Sequence, residues 1–124
     1  MRTWVASTMI ICRGEVWDVK LDPTVEAEIQ KTRPCIVISS DRMGRLPLRV
    51  VIPTTGWKDH FEGAPWFVRI EPDAGNGLDK LCAADAFQVR SVAEARFKRK
   101  RGVIPASLLN DIVSAMGIVI EIDP

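Results

Sequence analysis

The stretch KTRPCIVISSD, residues 31–41, places an arginine directly before a strand that has no polar face. Its four consecutive apolar residues, 35–38, include three β-branched ones, and such a run is typical of a strand buried on both faces. Pro34 disfavours the helical conformation for the residue before it, so we expect Arg33 to be extended. The pattern therefore predicts a strand over residues 35–39 with a guanidinium at its entrance.

Three more strands are predicted around this one. Residues 15–21, EVWDVKL, alternate apolar and polar side chains, which indicates a half-buried strand. Residues 48–52 are apolar apart from Arg49 and predict a strand that we expect to end at Pro53. Residues 66–70, apolar apart from Arg69, predict another strand after a polar loop. Residues 25–32 are rich in charged and amide side chains, Glu26, Glu28, Gln30 and Lys31, so they indicate a loop between the first two strands.

The last third of the chain predicts short elements followed by one helix. Residues 91–97 suit either a strand or a helical turn, and the run KRKRG after them indicates an exposed turn. Pro105 suits the first turn of a helix, and the apolar residues beyond it recur at spacings of three and four: Leu108, Leu109, Ile112, Val113, Met116 and Val119. These elements predict a mainly β fold, a small and strongly bent antiparallel sheet or barrel with a helix packed on it.

Length and composition predict a single folded domain. The 124 residues suit one domain of ordinary size, and we expect residues 13–124 to form it behind a poorly ordered extension of residues 1–12. Hydrophobic residues make up 47% and charged residues 27%, which argues against a disordered chain. The net charge of +1 excludes nucleic-acid binding through a strong overall positive field, so any anion site must come from a local arrangement.

The cysteines and the single histidine argue against a metal centre. Cys12, Cys35 and Cys82 are far apart, and His60 is the only histidine, whereas a structural zinc site needs about four nitrogen or sulfur ligands. We therefore expect no metal and no cofactor. An odd number of scattered cysteines and the lack of an apolar run of about 20 residues predict a cytoplasmic protein that does not enter the membrane.

Four blocks in order, RGEVWDVKLDPT, KTRPCIVISSD, LRVVIPTTGW and AADAFQVRSV, resemble the MazF/PemK family of toxin endoribonucleases. The resemblance runs from about Arg13 to the terminal helix. It implies an SH3-like barrel of short antiparallel strands with a C-terminal helix. It also implies metal-independent cleavage of single-stranded RNA, often at short preferred sequences, with 2′,3′-cyclic phosphate and 5′-hydroxyl ends.

The family's catalytic pair is an arginine in the Arg-Pro motif and a threonine at a strand end. The resemblance assigns the first role to Arg33 and the second to Thr55 in IPTTG, with Thr54 as the competing choice. A guanidinium can bind phosphorane oxygens bidentately, and a fixed donor acts most strongly where water is excluded. Arginine stays protonated at neutral pH, so we favour an electrostatic role for Arg33 and leave proton transfer open. Without the flanking blocks, Arg33 would instead suggest a rim residue or a partner for a carboxylate such as Glu28.

Other residues are weaker candidates. Glu28 lies in EAEIQK, where the family carries a loop richer in glycine and serine, and it either orients Arg33 or balances its charge. His60 is a further candidate for acid–base chemistry because an unperturbed imidazole titrates near neutral pH. Amides can bind base edges, aromatics can stack on bases and basic groups can hold phosphates, so the RNA-binding candidates are Gln88, Trp57, Lys58, Asp85 and Arg90.

The resemblance also implies partners: a second copy of the chain in a homodimer, and a small antitoxin whose disordered acidic segment covers the RNA groove. Two non-catalytic alternatives remain. One is a topoisomerase inhibitor of the same fold, as in the CcdB toxins, although those end in Trp-Gly-Ile and this chain ends in EIDP. The other is a degenerate binding module.

Overall fold

The computed structural model describes residues 9–43 and 45–122. Residues 1–8 of the extension that we expect to be poorly ordered lie outside the described residues. These residues form seven strands and one helix: β1 Glu15–Lys20, β2 Thr32–Val37, β3 Leu48–Gly56, β4 Phe67–Ile70, β5 Cys82–Asp85, β6 Arg90–Ala93, β7 Phe97–Val103 and α1 Ala106–Val119. The predicted β1, β2, β4 and α1 are confirmed, and Arg33 lies within β2, in extended backbone.

The strands form one antiparallel sheet in the order β4-β5-β3-β2-β1-β7, and β6 pairs with β3 outside this path. One edge of β3 changes partner along its length: Leu48–Val51 pair with β6, and Thr54–Gly56 pair with β5. Pro53 lies between these two stretches, where its missing N–H removes no ladder hydrogen bond. The predicted end of β3 at Pro53 is therefore wrong, because the strand continues to Gly56.

Two apolar cores cover the two faces of the sheet. Ile36 packs in the core under α1, against Ile112, whereas Cys35 and Val37 pack in the opposite core with Phe97. Neighbouring strand residues point to opposite faces, so β2 is buried on both of them, as its continuous apolar run predicts. Burial on both sides fixes the position of this strand, and with it the position of Arg33 near its start. Ile11, within the predicted N-terminal extension, is also buried in the second core.

The run KRKRG does not form the predicted turn, because it belongs to β7. Lysine and arginine are uncommon in strand centres, but carboxylates on β1 pair with them here. Lys100 Nζ lies 2.8 Å from Glu15 Oε2, and Arg101 Nε donates to Asp18 Oδ1 over 2.6 Å. These cross-strand ion pairs stabilise a strand that local propensity alone disfavours.

The fold class is confirmed as mainly β with a C-terminal helix. In the described part of the chain the sheet is not closed, because β4 and β7 lie at its two ends without pairing to each other, so a barrel is an approximate description. No helix among residues 9–43 and 45–122 is long and apolar enough to cross a membrane.

Candidate functional site

A cavity of about 240 Å³ lies where β2 begins and β3 ends, beside the loop that precedes β5. We call it the Arg33 cleft. Its lining includes Arg33, Thr54, Thr55, Gly56, Lys80 and Arg101. The structure thus brings the predicted arginine and both candidate threonines to one site, although they are about twenty residues apart in the chain.

Strand register explains why Arg33 and Thr55 meet. Cys35 on β2 lies opposite Pro53 on β3. Arg33 lies two residues before Cys35, and Thr55 lies two residues after Pro53. Strand alternation therefore places both side chains on the same face. The strands stay adjacent here, because Thr54 Oγ1 donates to the Pro34 carbonyl over 2.7 Å.

The two threonines differ in exposure and in bonding. Thr54 is 2% exposed, and its hydroxyl is engaged with Pro34. Thr55 is half-buried, and its hydroxyl has no hydrogen-bond partner among residues 9–43 and 45–122. Cys82 lies beside Thr54, and burial raises the pKa of its thiol to about 11, so the thiol is protonated at neutral pH. Of the two candidate threonines, Thr55 is therefore the one with a free hydroxyl in the cleft.

Arg33 is oriented by its own loop rather than by Glu28. Arg33 Nε donates to the Gln30 carbonyl over 3.2 Å, and its guanidinium forms no ion pair with a carboxylate of the described residues. Glu28 Oε1 instead accepts from the Val25 N–H over 2.6 Å and closes a turn inside the loop. The alternative in which Glu28 orients Arg33 has no support in this structure, because the glutamate is bonded to the Val25 N–H.

A second cavity, of about 470 Å³, is lined by Glu28, Pro53, Gln88 and Arg90 among others. Gln88 holds the β1–β2 loop, residues 21–31, against this side of the sheet. Its Oε1 accepts from the Ile29 N–H over 2.6 Å, and its Nε2 donates to the Ala27 carbonyl over 3.2 Å. The loop therefore bonds both the acceptor and the donor of the Gln88 amide, the two groups that would otherwise bind a base edge.

The neighbours of Gln88 also have local partners. Asp85 is buried, which raises the pKa of its carboxyl, and it accepts from Phe87 N over 3.1 Å and from Gln88 Nε2 over 3.2 Å. Arg90 donates to the Leu21 carbonyl over 3.2 Å. Within the described residues the two form no ion pair with each other, so both act as supports around the second cavity.

Trp57, Lys58 and His60 do not line the Arg33 cleft. Trp57 lines a third cavity of about 360 Å³, and the Arg69 guanidinium lies 5.5 Å from the centre of its ring system. His60 is exposed with its ring 4.8 Å from that of Phe61, and it lines none of the three cavities. Lys58 is exposed before the same short helical turn. The structure does not bring His60 to the candidate site.

Two cleft residues could not be found by inspection of the sequence. Lys80 lies in a turn-rich segment, DAGNGLDK, and Arg101 lies in the run read as an exposed turn. Arg101 bonds Asp18 through Nε, and its Nη1 lies 3.0 Å from both the Gly77 carbonyl and Asp79 Oδ2. The hydrogen bond to Asp18 comes first among the interactions that raise the pKa of this guanidinium.

The sequence matches a known protein family over most of its length. Residues 12–120 match the family profile described as PemK-like, MazF-like toxin of type II toxin-antitoxin system. The chain is 31% identical over 116 residues to endoribonuclease MazF9 of Mycobacterium tuberculosis strain ATCC 25618 / H37Rv, covering 89% of this chain and 96% of that protein. It is 29% identical to endoribonuclease PemK of Escherichia coli, covering 87% and 80% of the two chains.

Solved structures of similar proteins share the fold. MazF of Deinococcus radiodurans superposes with a TM-score of 0.75 at 20% identity, over 92% of this chain and 99% of that chain. Toxin MazF-mt6 of Mycobacterium tuberculosis superposes with a TM-score of 0.72 at 20% identity, over 89% and 99%. The match of residues 12–120 covers most of the sequence, and the chain therefore belongs to the family of PemK-like, MazF-like toxins of type II toxin–antitoxin systems.

Proposed function

We propose that this chain is a toxin endoribonuclease that cleaves single-stranded RNA, messenger RNA included, without a metal ion, and that Arg33 and Thr55 act on the scissile phosphate. The observation that carries the proposal is their placement in one cleft, on one face of two adjacent strands. Both curated relatives are named endoribonucleases, which supports the same activity.

The reaction needs an intramolecular attack that the cleft can assist. The ribose O2′ forms a bond to phosphorus and the P–O5′ bond breaks, while a proton leaves O2′ and another reaches O5′. The products are a 2′,3′-cyclic phosphate and a 5′-hydroxyl. Negative charge develops on the non-bridging oxygens during this step, so preorganised hydrogen-bond donors there lower the barrier.

The two proposed catalytic residues supply such donors. Arg33 carries a permanent positive charge, and its guanidinium can bind two phosphate oxygens at once. The bond from Nε to the Gln30 carbonyl leaves the terminal nitrogens for the substrate. Thr55 has a free hydroxyl at the cleft and adds a third donor. Extended backbone in β2 and β3 holds both residues in position before substrate arrives.

We also propose that the chain acts in the cytoplasm as a homodimer and is neutralised by a small antitoxin with a disordered acidic segment. One of the similar solved structures is an endoribonuclease from a mycobacterial species in complex with its cognate antitoxin. Another is a MazE–MazF complex from Deinococcus radiodurans. These complexes support the partner class.

The first prediction tests the activity and the role of Arg33 together. We expect the purified protein to cut a long RNA in the presence of EDTA, and Arg33→Ala to slow cleavage by about 10²–10³-fold through loss of transition-state stabilisation. Gel analysis gives the rate, and phosphatase resistance of the new 3′ ends identifies the cyclic phosphate.

Arg42→Ala is the matched control, since Arg42 is exposed and lines none of the three cavities. It should cut RNA at the wild-type rate. Intact RNA at micromolar wild-type protein would overturn the proposal in favour of a non-catalytic member of the fold. Full activity of Arg33→Ala would remove the arginine from the mechanism.

A further inference from the structure

The loop between β4 and β5, residues 71–81, is held rigidly by its own side chains. Asn76 is 2% exposed; its N–H donates to Asp73 Oδ1 over 2.7 Å, and its Nδ2 donates to the Glu71 carbonyl over 2.8 Å. Asn76 Oδ1 accepts from the Asp73 N–H over 3.1 Å and from the Leu78 N–H over 2.9 Å. A buried asparagine whose N–H, side-chain oxygen and side-chain nitrogen are all bonded fixes the path of this loop.

The same loop is fixed against β7. Arg101 bonds the Gly77 carbonyl and Asp79, and the Val103 N–H donates to the Gly75 carbonyl over 2.9 Å. A Cβ atom on Gly77 would collide with the Arg101 backbone, and Gly77 has a positive φ of 65°. The loop therefore reaches the Arg33 cleft in one conformation, with Lys80 directly after the anchored Asp79.

Lys80 extends along β3 into the cleft. Its Nζ lies 3.4 Å and its Cε 3.8 Å from the point where a Cβ atom on Gly56 would stand, one residue beyond Thr55. Within the described parts of the chain, Lys80 has neither a hydrogen bond nor an ion pair. The absence of a side chain at Gly56 leaves room for the lysine to lie against the strand.

The charges in the cleft do not cancel. Asp79 lines it as well, but its carboxylate is bonded to Arg101, which also pairs with Asp18. Arg33 and Lys80 have no such carboxylate partner among residues 9–43 and 45–122. A chain with a net charge of only +1 thus places two cations without a carboxylate partner in the lining of this one cleft.

We propose that Lys80 is a further substrate-binding residue, which holds a backbone phosphate of single-stranded RNA next to the scissile one. This inference rests on the proposed function. The ammonium group is a compact point charge that makes no geometric demand on its partner, so it binds a phosphate whatever base is attached. Arg33 acts on the reacting phosphate, and Lys80 fixes the register of the RNA along the cleft.

The experiment measures binding and turnover separately. The binding probe is an RNA oligonucleotide that the wild-type protein cuts, with a 2′-deoxy nucleotide at the cut position so that no cyclic phosphate can form. We expect Lys80→Ala to raise its Kd about tenfold and to reduce the slope of log K against log salt by about 0.7, the value for one lost single-strand phosphate contact. KM for the cleavable RNA should rise in parallel, with kcat within about threefold of wild type.

Two variants complete the experiment. Lys80→Arg keeps the charge and should bind within about threefold of wild type. Lys98→Ala removes an exposed lysine of β7 that lines none of the three cavities, and it should leave Kd and the salt slope unchanged. Thermal unfolding of Lys80→Ala should match wild type, because the side chain is exposed.

The outcomes separate the two proposals. If the wild type cuts RNA but Lys80→Ala binds the probe with unchanged Kd and salt slope, the Lys80 assignment is wrong and the proposed function stands. A fall in kcat with unchanged KM would also overturn it, because such a contact exists only in the transition state. If the wild type neither binds nor cuts RNA, the proposed function fails and Lys80 loses its role with it.

Discussion

Neighbouring threonines on β3 occupy different environments because consecutive strand residues point to opposite faces. Thr54 points into the protein, where its hydroxyl bonds the Pro34 carbonyl and ties β3 to β2. Thr55 faces the same side as Arg33 and keeps a free hydroxyl. The structure thus favours a structural role for the first hydroxyl and leaves the second for the substrate.

Valine substitutions test this division, since valine keeps the shape of threonine and removes only the hydroxyl. Thr54→Val should lower the free energy of unfolding by about 1 kcal/mol through loss of one buried hydrogen bond. Thr55→Val should keep wild-type stability and slow RNA cleavage by about 10²-fold. Urea unfolding and cleavage rates on the same preparations give both quantities.

Each variant is the control for the other. An inactive Thr54→Val with wild-type stability, beside an active Thr55→Val, would exchange the two roles. The sequence does not decide which threonine is catalytic, because the motif IPTTG contains two adjacent threonines and does not show which one faces the cleft. The choice depends on the register of β3 against β2, which is a tertiary property.

Arg33 could be predicted from the sequence, whereas Lys80 could not. Arg33 lies in a motif whose proline and buried strand fix its backbone locally. Lys80 reaches the cleft only because Asn76, Arg101 and two glycines determine the path of a loop. No spacing rule connects residues 33 and 80, so this contact becomes visible only in three dimensions.

At the scale of elements, the β1–β2 loop links Gln88 to Arg33. Gln88 bonds the loop backbone at Ala27 and Ile29, and the next residue, Gln30, accepts from Arg33 Nε. The loop also carries positive φ angles at Glu26 and Lys31, 48° and 69°, which other contacts must hold in place. Gln88 therefore helps to keep the loop, and through it the guanidinium, in position.

Gln88→Ala should release this loop. We expect the Ile29 amide to exchange with solvent at least tenfold faster, because its hydrogen-bond acceptor is gone. RNA cleavage should slow by about tenfold while the unfolding midpoint changes little. Hydrogen-exchange mass spectrometry over residues 21–31 checks the first effect, and the gel assay checks the second.

Gln88→Glu serves as the matched variant, because it keeps the acceptor for Ile29 and loses the donor to Ala27. It should fall between wild type and Gln88→Ala in exchange rate. Unchanged exchange at Ile29 in Gln88→Ala would show that the loop is held by other contacts. The side-chain amide of Gln88 would then be available to bind a base edge directly.

Two elements departed from prediction for identifiable reasons. Pro53 normally ends a strand, but here it occupies the short gap between two partners of β3, where no donor is needed. The basic run in β7 looks like a solvated turn, yet Glu15 and Asp18 on β1 pair with three of its four cations. In both cases a distant strand overrides a local preference.

At the scale of the whole molecule, the Glu15–Lys100 contact connects the first strand to the last. Glu15 is buried, which by itself opposes its ionisation. Hydrogen bonds from Lys100, the Cys12 N–H and Trp17 Nε1 outweigh that burial and lower the pKa of the carboxyl below 4.5. The resulting stability is present above pH 4.5 and is lost as the pH falls through the folded pKa.

Glu15→Gln removes this charge and should lower the free energy of unfolding by about 1 kcal/mol at pH 7. The difference from wild type should shrink below pH 4.5, because the wild-type carboxyl then becomes protonated as well. Urea unfolding at several pH values measures it. Glu26→Gln, in an exposed loop, should match wild type at each pH, and a difference for Glu15→Gln that persists at low pH would contradict the assignment.

The overall fold could be predicted further than the site. Apolar alternation in residues 15–21 and the helical spacing after Pro105 reflect local burial, and both are confirmed. The order of the strands and the partner change along β3 depend on long-range pairing, which no short pattern encodes.

The position of β7 at the end of the sheet affects how copies of the protein meet. In the described residues β1 is the only strand that pairs with β7, and the loop of residues 71–81 bonds the outer edge of β7 at Val103. Before that point the outer edge of β7 has no backbone partner among the described residues, so it could bond another extended chain. A net charge of +1 provides little mutual repulsion between molecules. Lys98, Arg99 and Lys100 are exposed along this edge, and two such edges brought side by side would set cation against cation. A nearly neutral protein thus resists stacking strand to strand into aggregates, and the homodimer proposed above must form through another surface.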